Sequence, residues 1–195
     1  MKVVAFNGSA RKDGNTSILI ETVLTELQKE GIDTQIANLA EMDLRGCTAC
    51  YKCFDNKNKQ CVYNKDGLND CIEAMLGADA IIIGSPTYFA NVSTEVKALI
   101  DRSGLVAKAN DDMFKRKVGA AVVAVRRAGS LPTFDAINHF FFISQMIVPG
   151  SNYWNMGIGR EKEDVKQDEE GLQTMKILGE NMAWLMKRIV GNKGE

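Results

Sequence analysis

Short, mostly apolar runs alternate along this chain with longer stretches whose apolar residues recur every three or four positions. The runs VVAF (residues 3–6), TQIANL (34–39), AIIIG (80–84), VGAAVVAV (118–125) and MIVPG (146–150) read as five strands. Between the first two, Ile20, Val23, Leu24 and Leu27 fall at i, i+3, i+4 and i+7, which predicts a helix from about Asn15. Leu68, Cys71, Ile72 and Met75 repeat the pattern after Asp66, which reads as its N-cap. Further helices are expected over 94–107, 132–145 and roughly 170–190, the last carrying Met175, Leu178, Met182, Leu185 and Ile189. Strands that alternate with helices in this way predict an α/β fold, a doubly wound parallel sheet with helices on both faces. One domain over residues 1–195 is expected, with a cysteine-rich loop at about 45–64.

Composition then removes several functions. Lysine plus arginine (24) balance aspartate plus glutamate (25), so no basic field exists to hold nucleic acid or an anionic membrane surface. No apolar stretch approaches the roughly 20 residues of a spanning helix. The start, MKVVAF, runs straight into a strand without a leader pattern, and a cytoplasmic location is the expectation. A metal site built from several histidines is excluded, because His139 is the one histidine. Five cysteines in a reducing compartment point instead to metal ligands or redox groups.

In open α/β sheets ligands bind beyond the carboxyl ends of the strands, so the loops there carry the chemistry. The first, NGSARKDGNTS (7–17), is long for a βα connection and leads directly into a helix. Gly8 and Gly14 permit tight turns, Ser9, Asn15, Thr16 and Ser17 offer hydrogen bonds, and Arg11 adds a charge, together composing a cradle for a phosphate monoester. The loop matches neither G-x-G-x-x-G nor G-x-x-x-x-G-K-[ST], which argues against a dinucleotide site and a P-loop. In the third loop, Pro86, Thr87, Tyr88, Phe89 and Asn91 offer a turn, a stacking surface for a flat ligand and a polar edge; the plain alternative is that the two aromatics cover the sheet end. The fourth, Arg126, Arg127, Ala128, Gly129 and Ser130, places two arginines where they stabilise negative charge or simply face solvent.

GSARKDGNTS followed by SPTYFANVS resembles the flavodoxin-like FMN reductases and the multimeric flavodoxins related to the tryptophan repressor-binding quinone reductase. The resemblance covers nearly the whole chain. It implies a five-stranded sheet in the order 2-1-3-4-5, FMN as cofactor and NAD(P)H as a co-substrate. The FMN phosphate would then sit on Ser9, Arg11, Gly14, Asn15, Thr16 and Ser17. Pro86, Thr87, Tyr88, Phe89 and Asn91 would border the isoalloxazine, with Arg126, Arg127, Ala128 and Gly129 closing the other side.

Cys47-x2-Cys50-x2-Cys53-x7-Cys61 is similar to the compact motif of the iron-sulfur flavoproteins, a branch of the same fold with a [4Fe-4S] cluster beside FMN. Two alternatives stay open: a plain NAD(P)H-dependent FMN or quinone reductase whose cysteines hold no cluster, and a non-enzymatic binding protein with structural zinc. With a cluster, the expected activity is electron passage between a donor, NAD(P)H or ferredoxin, and a second acceptor. Cys71 lies on an apolar helix stripe and reads as a buried thiol. His139 reads as a packed or interface histidine, and the run Phe140, Phe141, Phe142 as part of a contact in a homodimer or larger homo-oligomer.

Overall fold

The apolar run at residues 3–6 has to be covered on both sides, because successive side chains of a strand point to opposite faces. The computed structural model, which describes residues 1–190, shows how. Five strands, β1 (Lys2–Asn7), β2 (Asp33–Asn38), β3 (Ala80–Pro86), β4 (Val118–Val125) and β5 (Met156–Ile158), form a parallel sheet in the order β2-β1-β3-β4-β5. Among the described residues six α-helices accompany it: α1 (Asn15–Lys29), α2 (Lys52–Asn56), α3 (Leu68–Gly77), α4 (Thr94–Ala109), α5 (Ser130–Ile143) and α6 (Glu169–Ile189). Val3, Ala5, Ile82 and Val122 pack with α1 and α6, while Val4, Phe6, Ile83 and Val123 pack with α3, α4 and α5. Strand order reverses between β1 and β3, so the crevice for a ligand opens at their carboxyl ends.

Two expectations need correction. The fifth strand does not lie at 146–150: Ile147 makes an isolated bridge to Val118, the chain leaves the sheet, and it returns as β5 at Met156–Ile158 beside Val123–Val125. Pro149 has no N–H to continue a ladder, which accounts for the break. Gly67, not Asp66, is the N-cap of α3; the Asp66 carboxylate accepts from the Leu68 N–H (3.4 Å) while facing Arg102. His139 is exposed and so is not packed within the chain, whereas Phe140 and Phe141 are buried and Phe142 is 61% exposed. Cys71 is buried as expected, and burial pushes its thiol up to about 12. No helix among the described residues is long and apolar enough to cross a membrane.

Candidate functional site

The loop after β1 is organised by Asn7, which is fully buried. Its Oδ1 accepts from the Ser9 N–H (3.1 Å), and its Nδ2 donates to the Lys12 carbonyl (3.3 Å) and to Asn38 Oδ1 (3.1 Å), tying the ends of β1 and β2 together. Gly8 permits the close approach to β3: its N–H donates to the Gly84 carbonyl (2.9 Å), and a Cβ there would lie 2.1 Å from a Val96 methyl. The N-cap of α1 is Gly14, which supplies no side-chain cap, so the first-turn N–H groups meet no capping oxygen.

A cavity of about 180 Å³ opens beside this helix end, lined by Ser9, Arg11, Asn15, Thr16, Pro86, Thr87, Tyr88 and Arg126 from the expected loops. Ser17 does not reach it; its hydroxyl donates to Glu21 Oε1 (2.9 Å) along the helix. Gly159 and Arg160, which sequence reasoning missed, complete the wall. They follow the true β5, so the misplaced strand hid them. Three arginines, Arg11, Arg126 and Arg160, therefore line one small space, Arg160 paired at 3.1 Å with the exposed Glu161, and together they make a donor set suited to an anion.

Tyr88 and Asn91 form a tight two-residue turn, with Phe89 (φ 46°) and Ala90 (φ 60°) both left-handed at its tip. This conformation favours Asn-Gly, and a phenylalanine there is strained. The turn leaves Phe89 completely exposed and Tyr88 half exposed, a bare aromatic surface next to the arginine-lined cavity. The loop is held from behind. The Thr87 N–H donates to the Ala124 carbonyl (2.8 Å), the Thr133 hydroxyl pairs with that of Thr87 (3.2 Å), and left-handed Gly129 (φ 86°) packs close to Ala90. Arg127 and Ala128 are exposed and do not line the cavity.

The four cysteines of the compact motif line a second cavity, of about 300 Å³, together with Arg45, Tyr63, Arg102, Leu105 and Val106. Around it Ala49, Tyr51, Lys57 and Lys59 are all left-handed, an accumulation of strain typical of ligand loops. Cys47 and Cys50 are exposed, Cys61 is partly covered and Cys53 is buried, which pushes its thiol up; the Lys52 backbone N–H draws the Cys50 thiol down. Among the described residues, no group of three or more His, Cys, Asp or Glu side chains is arranged to hold a single metal ion. Sequence reasoning missed Arg102. The signal was present, because an arginine among Leu99, Ser103 and Val106 is a charge on an apolar stripe.

The model of the NADPH-dependent FMN reductase family matches residues 1–161. The chain belongs to that family. This FMN reductase homologue is 36% identical over 196 residues to an iron-sulfur flavoprotein from Methanocaldococcus jannaschii, covering 97% of this chain and 99% of the relative. A second iron-sulfur flavoprotein, from Methanosarcina thermophila, is 31% identical over 195 residues and is matched over 99% of both chains. Among solved structures it is similar to a WrbA-like flavodoxin from Agrobacterium tumefaciens, with a TM-score of 0.63 at 16% identity over 96% of this chain and 97% of that one. At that identity the likeness shows the flavodoxin-like fold. Family membership makes the protein an FMN-dependent oxidoreductase.

Proposed function

We propose that the FMN phosphate occupies the cavity at the start of α1 and that the four cysteines hold a [4Fe-4S] cluster, so that the enzyme carries electrons from NAD(P)H or ferredoxin to a second acceptor. The observation that carries the cluster reading is the placement of Cys47, Cys50, Cys53 and Cys61 around one cavity with a cationic donor, Arg102, at its wall. A cubane spreads its thiolates over four corners rather than drawing them to one point, so this donor set fits it better than it fits a single zinc ion. Names of close relatives support the same reading.

At about 180 Å³, the arginine-lined cavity is smaller than the roughly 300–1,000 Å³ of pockets that enclose a drug-sized ligand. It suits the phosphate end, with the ring outside against the exposed Tyr88–Phe89 turn. Arg11 and the α1 N-terminus neutralise the phosphate, Thr87 and Gly129 fix the turn, and Arg126 stands where negative charge on the ring would be compensated. Bound FMN supplies one- and two-electron chemistry and a cluster one-electron chemistry. No side-chain acid–base pair is required.

The exposure of Cys47 and Cys50 favours the simpler second reading, an NAD(P)H-dependent flavin or quinone reductase without a cluster. Anaerobic reconstitution with FMN, iron and sulfide separates the two. The cluster reading expects flavin bands over broad iron–sulfur absorption, and Cys53→Ser expects the flavin bands alone. Flavin without iron in the wild type, with NAD(P)H oxidation intact, selects the second reading. Exposed Phe142, Ile143, Tyr153 and Trp154 form the surface we assign to contact between copies, checked by the mass of the native protein in solution.

A further inference from the structure

Arg102 is only 2% exposed, although it stands on α4 among the apolar residues of the core. A buried guanidinium requires partners, and those of this one lie in the cysteine-rich segment and at Asp66 just beyond it. Nη1 donates to the Asp66 carboxylate and to the Arg45 carbonyl (3.1 Å). Nη2 donates to the Tyr63 carbonyl (3.0 Å), to Asp66 Oδ1 (3.3 Å) and to Cys61 Sγ (3.3 Å). The Tyr63 ring lies beside both guanidinium groups, 4.6 Å from that of Arg45 and 5.5 Å from that of Arg102.

One side chain thus fastens both ends of the loop, two residues before Cys47 and two residues after Cys61. The first three cysteines share a compact spacing that brings them together locally. Cys61 is separated from them by seven residues, and its position depends on what holds the return of the loop. Asn69 brackets the Cys61 backbone, accepting from its N–H (2.8 Å) and donating to its carbonyl (3.0 Å), while the guanidinium reaches the side chain and aims an N–H at the sulfur (3.3 Å). A donor to a ligating sulfur stabilises the more negative, reduced form of a cluster.

We propose that Arg102 is a positioning residue of the cysteine site, orienting the Cys61 sulfur as the fourth ligand and raising the cluster's reduction potential through its hydrogen bond to Cys61 Sγ. The inference rests on the cluster reading above. A residue that served only to neutralise Asp66 would fix the fold but leave the potential alone.

The test uses the full chain, reconstituted anaerobically with FMN, iron and sulfide, as wild type, Arg102→Lys and the double variant Arg102→Leu with Asp66→Asn. The lysine keeps the charge but lacks the fork that reaches Asp66, two carbonyls and Cys61 together. The double variant removes a cation and an anion at once, so the folded protein keeps its net charge and no carboxylate is left buried alone. Iron content and the midpoint potentials of cluster and flavin are measured by redox titration followed by electron paramagnetic resonance and absorbance. We expect folded variants with wild-type FMN content whose cluster either titrates at a lower potential, with the flavin potential unmoved, or is lost. A full cluster at the wild-type potential in both variants would overturn the assignment of Arg102 alone. A wild-type protein that takes no cluster would overturn the reading on which it rests.

Discussion

Asn15 Oδ1 accepts a hydrogen bond from the Val165 N–H at 3.3 Å, joining the first residue of α1 to a segment 150 positions away. Its Nδ2 donates to the Glu161 carbonyl (2.8 Å), so both ends of the amide fasten the loop that brings Gly159 and Arg160 to the arginine-lined cavity. Asn15 therefore shapes the cradle by holding its far wall. Replacing it with alanine is expected to weaken FMN binding about tenfold, the equivalent of about 1.4 kcal/mol. Flavin fluorescence titration measures this, and an unchanged dissociation constant would contradict it.

Strain at the aromatic turn predicts a gain in stability. Ala90 holds φ 60°, which a Cβ disfavours by about 1–2 kcal/mol, and glycine returns part of that through its freer unfolded chain. Ala90→Gly is expected to raise the melting temperature of the apoprotein by about 2 °C, the scale for a chain of this size. A fall in melting temperature would show that the turn is not under strain.

The Asp66–Arg102 pair predicts acid sensitivity. Burial raises the Asp66 carboxyl, but the Arg102 hydrogen bonds and charge, with the Arg45 and Leu68 N–H groups, outweigh it and hold the carboxyl below its ordinary value of 3.8. A group lowered in the folded state contributes stability that is present above its unfolded value and lost as the pH falls through the folded one. Urea midpoints should therefore drop below pH 3.8, and less steeply when Asp66→Asn and Arg102→Leu are combined. Exposed pairs such as Asp13–Lys162 add little to this slope. Removing Arg102 alone leaves a buried carboxylate and is expected to cost about 3–5 kcal/mol.

Thiol accessibility offers a simple check of the cysteine assignments. In the apoprotein, iodoacetamide followed by mass spectrometry should find Cys47 and Cys50 modified and Cys71 protected, since the last is 1% exposed with its thiol held up to about 12. Modification of Cys71 without denaturant would place it outside the core.

Much of this architecture is legible in the chain because periodicity follows burial. Ile20, Val23, Leu24 and Leu27 mark α1 and are all buried, and β4 is apolar throughout because both its faces are covered. The fifth strand was not legible, since its edge position is filled in two parts, around Ile147 and at Met156–Ile158, and the more β-like segment makes the smaller contribution. Asp66 resembles an N-cap locally, but a tertiary partner 36 residues away decides its role. The candidate loops were found by residue type, whereas Ser17 shows that type does not give direction: its hydroxyl turns to Glu21.

The proposed cluster would sit where four cysteines surround one cavity in an FMN enzyme. Iron and acid-labile sulfide analysis of the anaerobically isolated protein, beside its flavin content, decides whether it is assembled. About four irons and four sulfides per FMN are expected. One zinc per chain, or FMN with neither iron nor sulfide after reconstitution, would contradict it.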